Sequence, residues 1–199
     1  MHRIVPENEN PLLRKVAHAI PIGDIGSPKI KKLISEMKAL LAKEKYGVAL
    51  AAPQVGESLQ LFIVSGKAIS HNKHADKKTA IKDGKDREAT PRGLNVPIPS
   101  QQDEVEADLV YINPELIKVS RGKKDKHEGC LSVRGMWGLV PRAEKATIKA
   151  HDEHGKRITR GASGFLAHVF QHETDHLHGI LYTDKATEVY EEEPDEKQN

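Results

Sequence analysis

The sequence contains one cysteine, Cys130. An intramolecular disulfide is therefore excluded, which fits a reducing compartment. No stretch approaches the roughly 18 consecutive apolar residues that a membrane-spanning helix needs, and Met1-His2-Arg3-Ile4-Val5-Pro6 is followed by no apolar signal core. A large charge of either sign is also missing. The chain has 31 lysines and arginines against 29 aspartates and glutamates, a net +2, too little to argue for DNA or a membrane surface as partner. There is no internal repeat, so a solenoid is excluded. What remains is a cytoplasmic chain of 199 residues, long enough for one domain with a real core and too short to favour two. A monomer is expected.

Periodicity places the elements. Ser27 caps a helix running to Tyr46, with Pro28 at its first position and Gly47 as its stop. Ile30, Leu33, Ile34, Met37, Leu40 and Leu41 form its single buried face. Strands are expected at Leu59–Val64, Leu109–Ile112, Leu116–Val119, Glu128–Val133, Gly138–Pro141 and Ala146–Ala150, with Asn113-Pro114 as a turn and Ala146 to Thr159 as a hairpin. Between them, residues 65–108 lack periodicity and read as a polar surface insertion, mobile in part, where His71 and His74 are solvated. A second helix is expected from Gly164 to His178, capped by Ser163 and stopped by Gly179. The tail from Lys185 to Asn199 has six acidic residues against two lysines and is expected to be frayed or disordered. The fold class is α+β: mostly antiparallel strands around the second helix, with the first packed outside.

The second helix carries the chemistry. Gln171-His172-Glu173-Thr174-Asp175-His176 contains H-E-x-x-H. Positions i and i+4 share a helix face, so His172 and His176 can aim two imidazoles at one point, with Glu173 beside them to move a proton. Phe165, Val169, His172 and His176 also share one stripe, so both histidines face the core or a cleft. Unpaired imidazoles there would be costly, so ligation or hydrogen bonding must satisfy them. Upstream, Gly47-Val48-Ala49-Leu50-Ala51-Ala52-Pro53-Gln54 is dominated by small residues. It reads either as a tight turn or as the wall of a cleft in which Gln54 offers an amide donor.

Three separated motifs resemble those of peptide deformylase: the Gly47–Gln54 run, Glu128-Gly129-Cys130-Leu131-Ser132, and Gln171–His176. They occur in the family's order, and the similarity covers roughly residues 10–65 and 109–184. The resemblance implies that Cys130, as a thiolate, His172 and His176 bind one divalent metal. Iron(II) is expected in cells, and zinc, nickel or cobalt in purified protein. It further implies hydrolysis of N-formyl-methionyl peptides to formate and a free amino terminus. Glu173 would act as general base and acid, while Gln54 and the Leu131 N–H hold the oxyanion. Glu128 and Arg142 would brace the cysteine strand. Val48, Ala49, Gly129, Phe165, His168 and Val169 would contact substrate.

Some positions depart from the family pattern. Ala49 stands where a second glycine is usual. His168 stands where an aliphatic residue is common, and either makes the methionine pocket polar or sits at its rim. Trp137 offers an aromatic edge to the cleft. The acidic tail would be repelled by ribosomal RNA, so any transient ribosome contact falls to another surface such as the insertion's lysines. Two other readings stand beside this one. One is an H-E-x-x-H zinc endopeptidase with Glu188 as its downstream third ligand. The other is a peptide-binding module that keeps the fold without turnover.

Overall fold

A computed structural model describes residues 2–70 and 106–191. Helix α1 spans Pro28–Lys43, with the Ser27 side chain accepting from the Ile30 N–H at 3.4 Å and Pro28 at the first turn. Ile30, Leu33, Ile34, Met37 and Leu41 are buried, as the periodicity predicts. The helix ends three residues before the expected Tyr46, which is 59% exposed. Beyond Leu41 no apolar side chain on that face has a core to enter. Gly47 acts by close approach rather than as a left-handed cap. A Cβ there would lie 2.8 Å from Glu44 Cβ and 2.9 Å from Leu41 Cδ1.

Two antiparallel sheets follow. The first has the order β1-β2-β3-β6-β7 and the second β4-β5-β8. Their strands are β1 (Ala49–Ala51), β2 (Leu61–Val64), β3 (Leu109–Val119), β4 (Lys123–Cys130), β5 (Val133–Ala143), β6 (Lys145–His151), β7 (Arg157–Ser163) and β8 (Glu188–Glu191). The expected break at Asn113-Pro114 is not a turn. β3 runs through it as an irregularity, with Asn113 at φ +51° and the register against β6 shifting between Ile112 and Glu115. Pairing on both flanks holds the strand together where proline removes one donor. The Asn113 amide accepts from the Ile20 N–H at 2.8 Å and donates to the Ile20 carbonyl at 2.7 Å. The expected 146–159 hairpin is β6–β7.

Helix α2 (Gly164–Leu177) packs against β1, β3, β5, β6 and β7 and is buried at every residue from Leu166 to Leu177. The stripe read from the sequence is therefore only one part of a helix covered on all sides. Phe170 on α2 meets Tyr111 edge-on at 5.2 Å, and Tyr111 stacks on Phe62 at 4.9 Å. These rings anchor the helix to the middle of the larger sheet.

Two expectations need correction. The tail is not frayed from Lys185: Glu188–Glu191 pair with β5, from Leu139↔Glu188 to Met136↔Glu191. The edge of β5 offers backbone partners that an acidic composition does not forbid. Nor is the start of the insertion loose surface chain. Residues 66–70 are helical, with Ala68 and Ile69 each 1% exposed. His71, His74 and the expected mobility of the remaining insertion lie outside the described residues, as do residues 192–199. Among the described residues, no helix is long and apolar enough to cross a membrane.

Candidate metal centre

The end of β4 and the middle of α2 meet at three side chains. The ligand atoms of Cys130, His172 and His176 all lie within 4.8 Å of one another, and Cys130 Sγ is 3.3 Å from His176 Nε2. The strand reaches this point through an irregularity, since its register with β5 shifts between Gly129 and Cys130. Gly129 lets Trp137 come close: a Cβ there would stand 3.3 Å from the ring and press it aside by a few tenths of an ångström. Trp137 thus lies beside the cysteine, on β5. Glu188 does not reach the cluster. It is exposed on β8 opposite Leu139, so the downstream ligand of the endopeptidase reading is absent and Cys130 stands in its place.

A buried carboxylate organises the cluster. Arg142 donates to Glu128 through Nε at 2.6 Å and Nη2 at 3.0 Å. His172 Nδ1 lies 2.7 Å from Glu128 Oε2, which leaves His172 Nε2 to face the cysteine. His168 is buried and not at a rim, its Nε2 2.8 Å from Glu128 Oε1. Burial alone would raise the pKa of Glu128, but the bonds from His168, His172 and Arg142 win and hold it well below the carboxylate range. Burial lowers the Arg142 pKa, yet Glu128 and Asp175 more than restore it. The His172 pKa is pushed down by burial and raised further by Cys130 and Glu128, so it ends well above the usual value. Burial and the neighbouring His172 hold the His176 pKa well below it.

Glu173 sits beside the cluster with one oxygen left over. It is 4% exposed, and its Oε2 has no hydrogen-bond partner among the described residues. Burial raises its pKa to about 7, the range suited to a group that both takes and returns a proton near neutrality. Gln54 is also buried. Its Oε1 accepts from the Ala51 N–H at 2.8 Å, and its Nε2 points at Cys130 Sγ at 3.4 Å. Leu131 follows Cys130 directly, in the turn between β4 and β5. Ala49 and Val169 belong to the core cluster on which Val48 and Phe165 pack. These apolar residues therefore gather on the side of α2 that faces β1.

Several contributors are not marked in the sequence, because their contacts join separate elements. Asp175 accepts from Arg142 Nη1 and from Lys185 Nζ, each at 2.6 Å. Gln171 bonds both the N–H and the carbonyl of Ala143, at 3.0 and 2.9 Å. The Tyr182 ring stacks on His172 at 6.3 Å. The N-terminal segment clasps the two loops beside the cysteine. The Val5 N–H donates to the Gln54 carbonyl, the Glu7 N–H to the Ser132 carbonyl, both at 2.9 Å, and Asn10 Nδ2 to the Pro53 carbonyl at 2.7 Å. Asp175 and Gln171 lie inside the Gln171–His176 run but off the stripe read as buried, so no sequence pattern assigned them partners.

The donor set fits a metal. One cysteine sulfur and two imidazole nitrogens are a donor set of the kind that three-ligand catalytic sites use, and bond lengths at a tetrahedral ion place such donors roughly 3.5 Å apart. The described residues match that spacing at the cysteine and His176.

The family model for polypeptide deformylase matches residues 1–192. The chain belongs to the peptide deformylase family. It is therefore a metal-dependent hydrolase that removes the N-formyl group from nascent peptides. The peptide deformylase of Carboxydothermus hydrogenoformans is 36% identical over 185 residues, 93% of each chain. Peptide deformylase 1A of the tomato chloroplast is 35% identical over 178 residues, which are 88% of this chain but 56% of that one. Among solved structures, the Met-Ala-Ser-bound class I type b peptide deformylase of Acinetobacter baumannii superposes with a TM-score of 0.70 at 27% identity, covering 93% of this chain and 98% of that one.

Proposed function

We propose that Cys130, His172 and His176 are the ligands of the family's divalent metal, iron(II) in the cell. We further propose that Glu173, Gln54 and Leu131 carry the hydrolysis of N-formyl-methionyl peptides. The observation behind this reading is the convergence of one thiol and two imidazoles beside a buried carboxyl group, Glu173, whose Oε2 has no partner among the described residues. An ion held there acts as a Lewis acid toward water and the formyl carbonyl. Glu173, poised at about 7, takes the proton from the attacking water and delivers it to the departing amine. The Gln54 amide and the Leu131 N–H donate to the oxygen that gains charge. Glu128 fixes the tautomer of His172 and so directs Nε2 to the ion. Val48, Ala49, Gly129, Phe165 and Val169 line the path of the first residue. The Met-Ala-Ser complex of the Acinetobacter relative supports a peptide with a small-residue second position. The protein works as a cytoplasmic monomer, and its encounter with the ribosome is transient.

The test is formate release from a formyl-Met-Ala-Ser peptide by anaerobically purified protein, with metal content measured on the same sample. Glu173→Ala should retain the metal and lose roughly 100- to 10,000-fold in kcat. Full activity in that variant would reject the assignment.

A further inference from the structure

Glu128 lies at the centre of the buried polar cluster, and its two oxygens divide their donors evenly. Oε1 faces Arg142 Nε at 2.6 Å and His168 Nε2 at 2.8 Å. Oε2 faces Arg142 Nη2 at 3.0 Å and His172 Nδ1 at 2.7 Å. A carboxylate has about four lone-pair sites, and all are filled. His168 and His172 stand four apart on α2, so their imidazoles line one face, one turn apart. Phe165 meets the His168 ring edge-on, with centroids 6.2 Å apart and planes at 85°, which limits how that ring can turn.

We infer that His168 is a positioning residue: its Nε2–H is the fourth donor on Glu128, and it locks the carboxylate that orients His172 toward the metal. The inference rests on Cys130, His172 and His176 being the ligands. Arg142 alone could hold Glu128 in its plane, but it reaches each oxygen from one side. His168 closes the open side of Oε1. Without it Glu128 can rock about the guanidinium, and the Nδ1–H of His172 loses a fixed acceptor. Burial keeps the His168 imidazole neutral by lowering its pKa, which leaves a single N–H to place. The ring contact and the 2.8 Å separation assign it to Nε2. His168 therefore acts through Glu128 and does not touch substrate or ion.

The test measures zinc affinity by competition with a chromogenic chelator for the wild type, His168→Leu and His168→Gln. The leucine variant should bind zinc roughly 10- to 100-fold more weakly. Glutamine, whose amide can donate from nearly the same place, should recover most of the loss. Equal affinity in the wild type and the leucine variant would overturn the inference, as would equal weakening by leucine and glutamine. A second measurement needs no variant to fold. Long-range proton–nitrogen correlation spectra of the zinc-loaded wild type should show His168 as the Nε2–H tautomer, and an Nδ1–H tautomer would overturn the inference. Failure of the wild type to bind one zinc would instead remove the ligand assignment, and this inference with it.

Discussion

Helix α1 buries one face, and helix α2 is buried all round. α1 rests on Ile30, Leu33, Ile34, Met37 and Leu41 and leaves its other faces to solvent. α2 takes Gln171, His172, Glu173, Thr174, Asp175 and His176 into the interior. Most of their polar atoms are satisfied by other elements: Gln171 by the end of β5, His172 by Glu128, and Asp175 by Arg142 and Lys185. The comparison separates two sources of stability. Apolar burial is non-directional and tolerates modest change. A buried polar helix depends on each partner, because removing one strands the other in a low-dielectric interior.

The sharpest way to break α2 without touching the ligands is Arg142→Met. It leaves Glu128 and Asp175 without their shared guanidinium, and denaturant unfolding should show a loss of about 3–5 kcal/mol. Metal affinity should fall with it. On α1 the matching deletion is Met37→Ala, at a side chain that is 0% exposed. It should cost about 2–5 kcal/mol by the same measurement and leave metal affinity and kcat unchanged. If both variants lose metal alike, the contrast between the helices fails.

Acidity sharpens the same contrast. The carboxyl of Glu173 has its pKa raised by burial to about 7. For an acid raised in the folded state, the native protein holds the extra proton. The destabilisation is thus absent below the unfolded pKa and complete once the pH has risen through about 7. Metal-free Glu173→Gln should match the wild type near pH 4 and exceed it at pH 8 by up to about 3 kcal/mol. A constant difference across that range would contradict a carboxyl group whose acidity is weakened by burial. The smallest effect belongs to the start of α1. Ser27→Ala should cost only about 0.5–1 kcal/mol, since the capping bond to Ile30 is long at 3.4 Å.

The contrast also explains what was legible in the sequence. α1 could be read because its signal is local: six apolar residues at helical spacing behind a Ser-Pro start, five of them buried and Leu40 half-buried. The three motifs bearing the proposed metal ligands and Gln54 were legible for a different reason, since together and in order they resemble those of a known family. The Glu128–Arg142 pair came with that resemblance, but the remaining network joins residues that no motif links, such as Arg142 with Asp175, Gln171 with Ala143, and Val5 with Gln54. No periodicity records such pairs. His168 shows the limit most clearly. The resemblance put it at a position that lines the substrate pocket, whereas its contact with Glu128 depends on where β4 lies against α2. β8 was missed for a similar reason, since a charged segment becomes a strand only because β5 presents an edge to it.

The central claim is that a strand cysteine and two helix histidines hold one metal. Cobalt(II) titration followed by absorption spectroscopy tests it most directly. One equivalent should bind and give both tetrahedral ligand-field bands and a thiolate-to-cobalt charge-transfer band. That band should vanish in Cys130→Ser and persist in Glu188→Gln. A charge-transfer band unchanged by Cys130→Ser, or none in the wild type, would contradict the account.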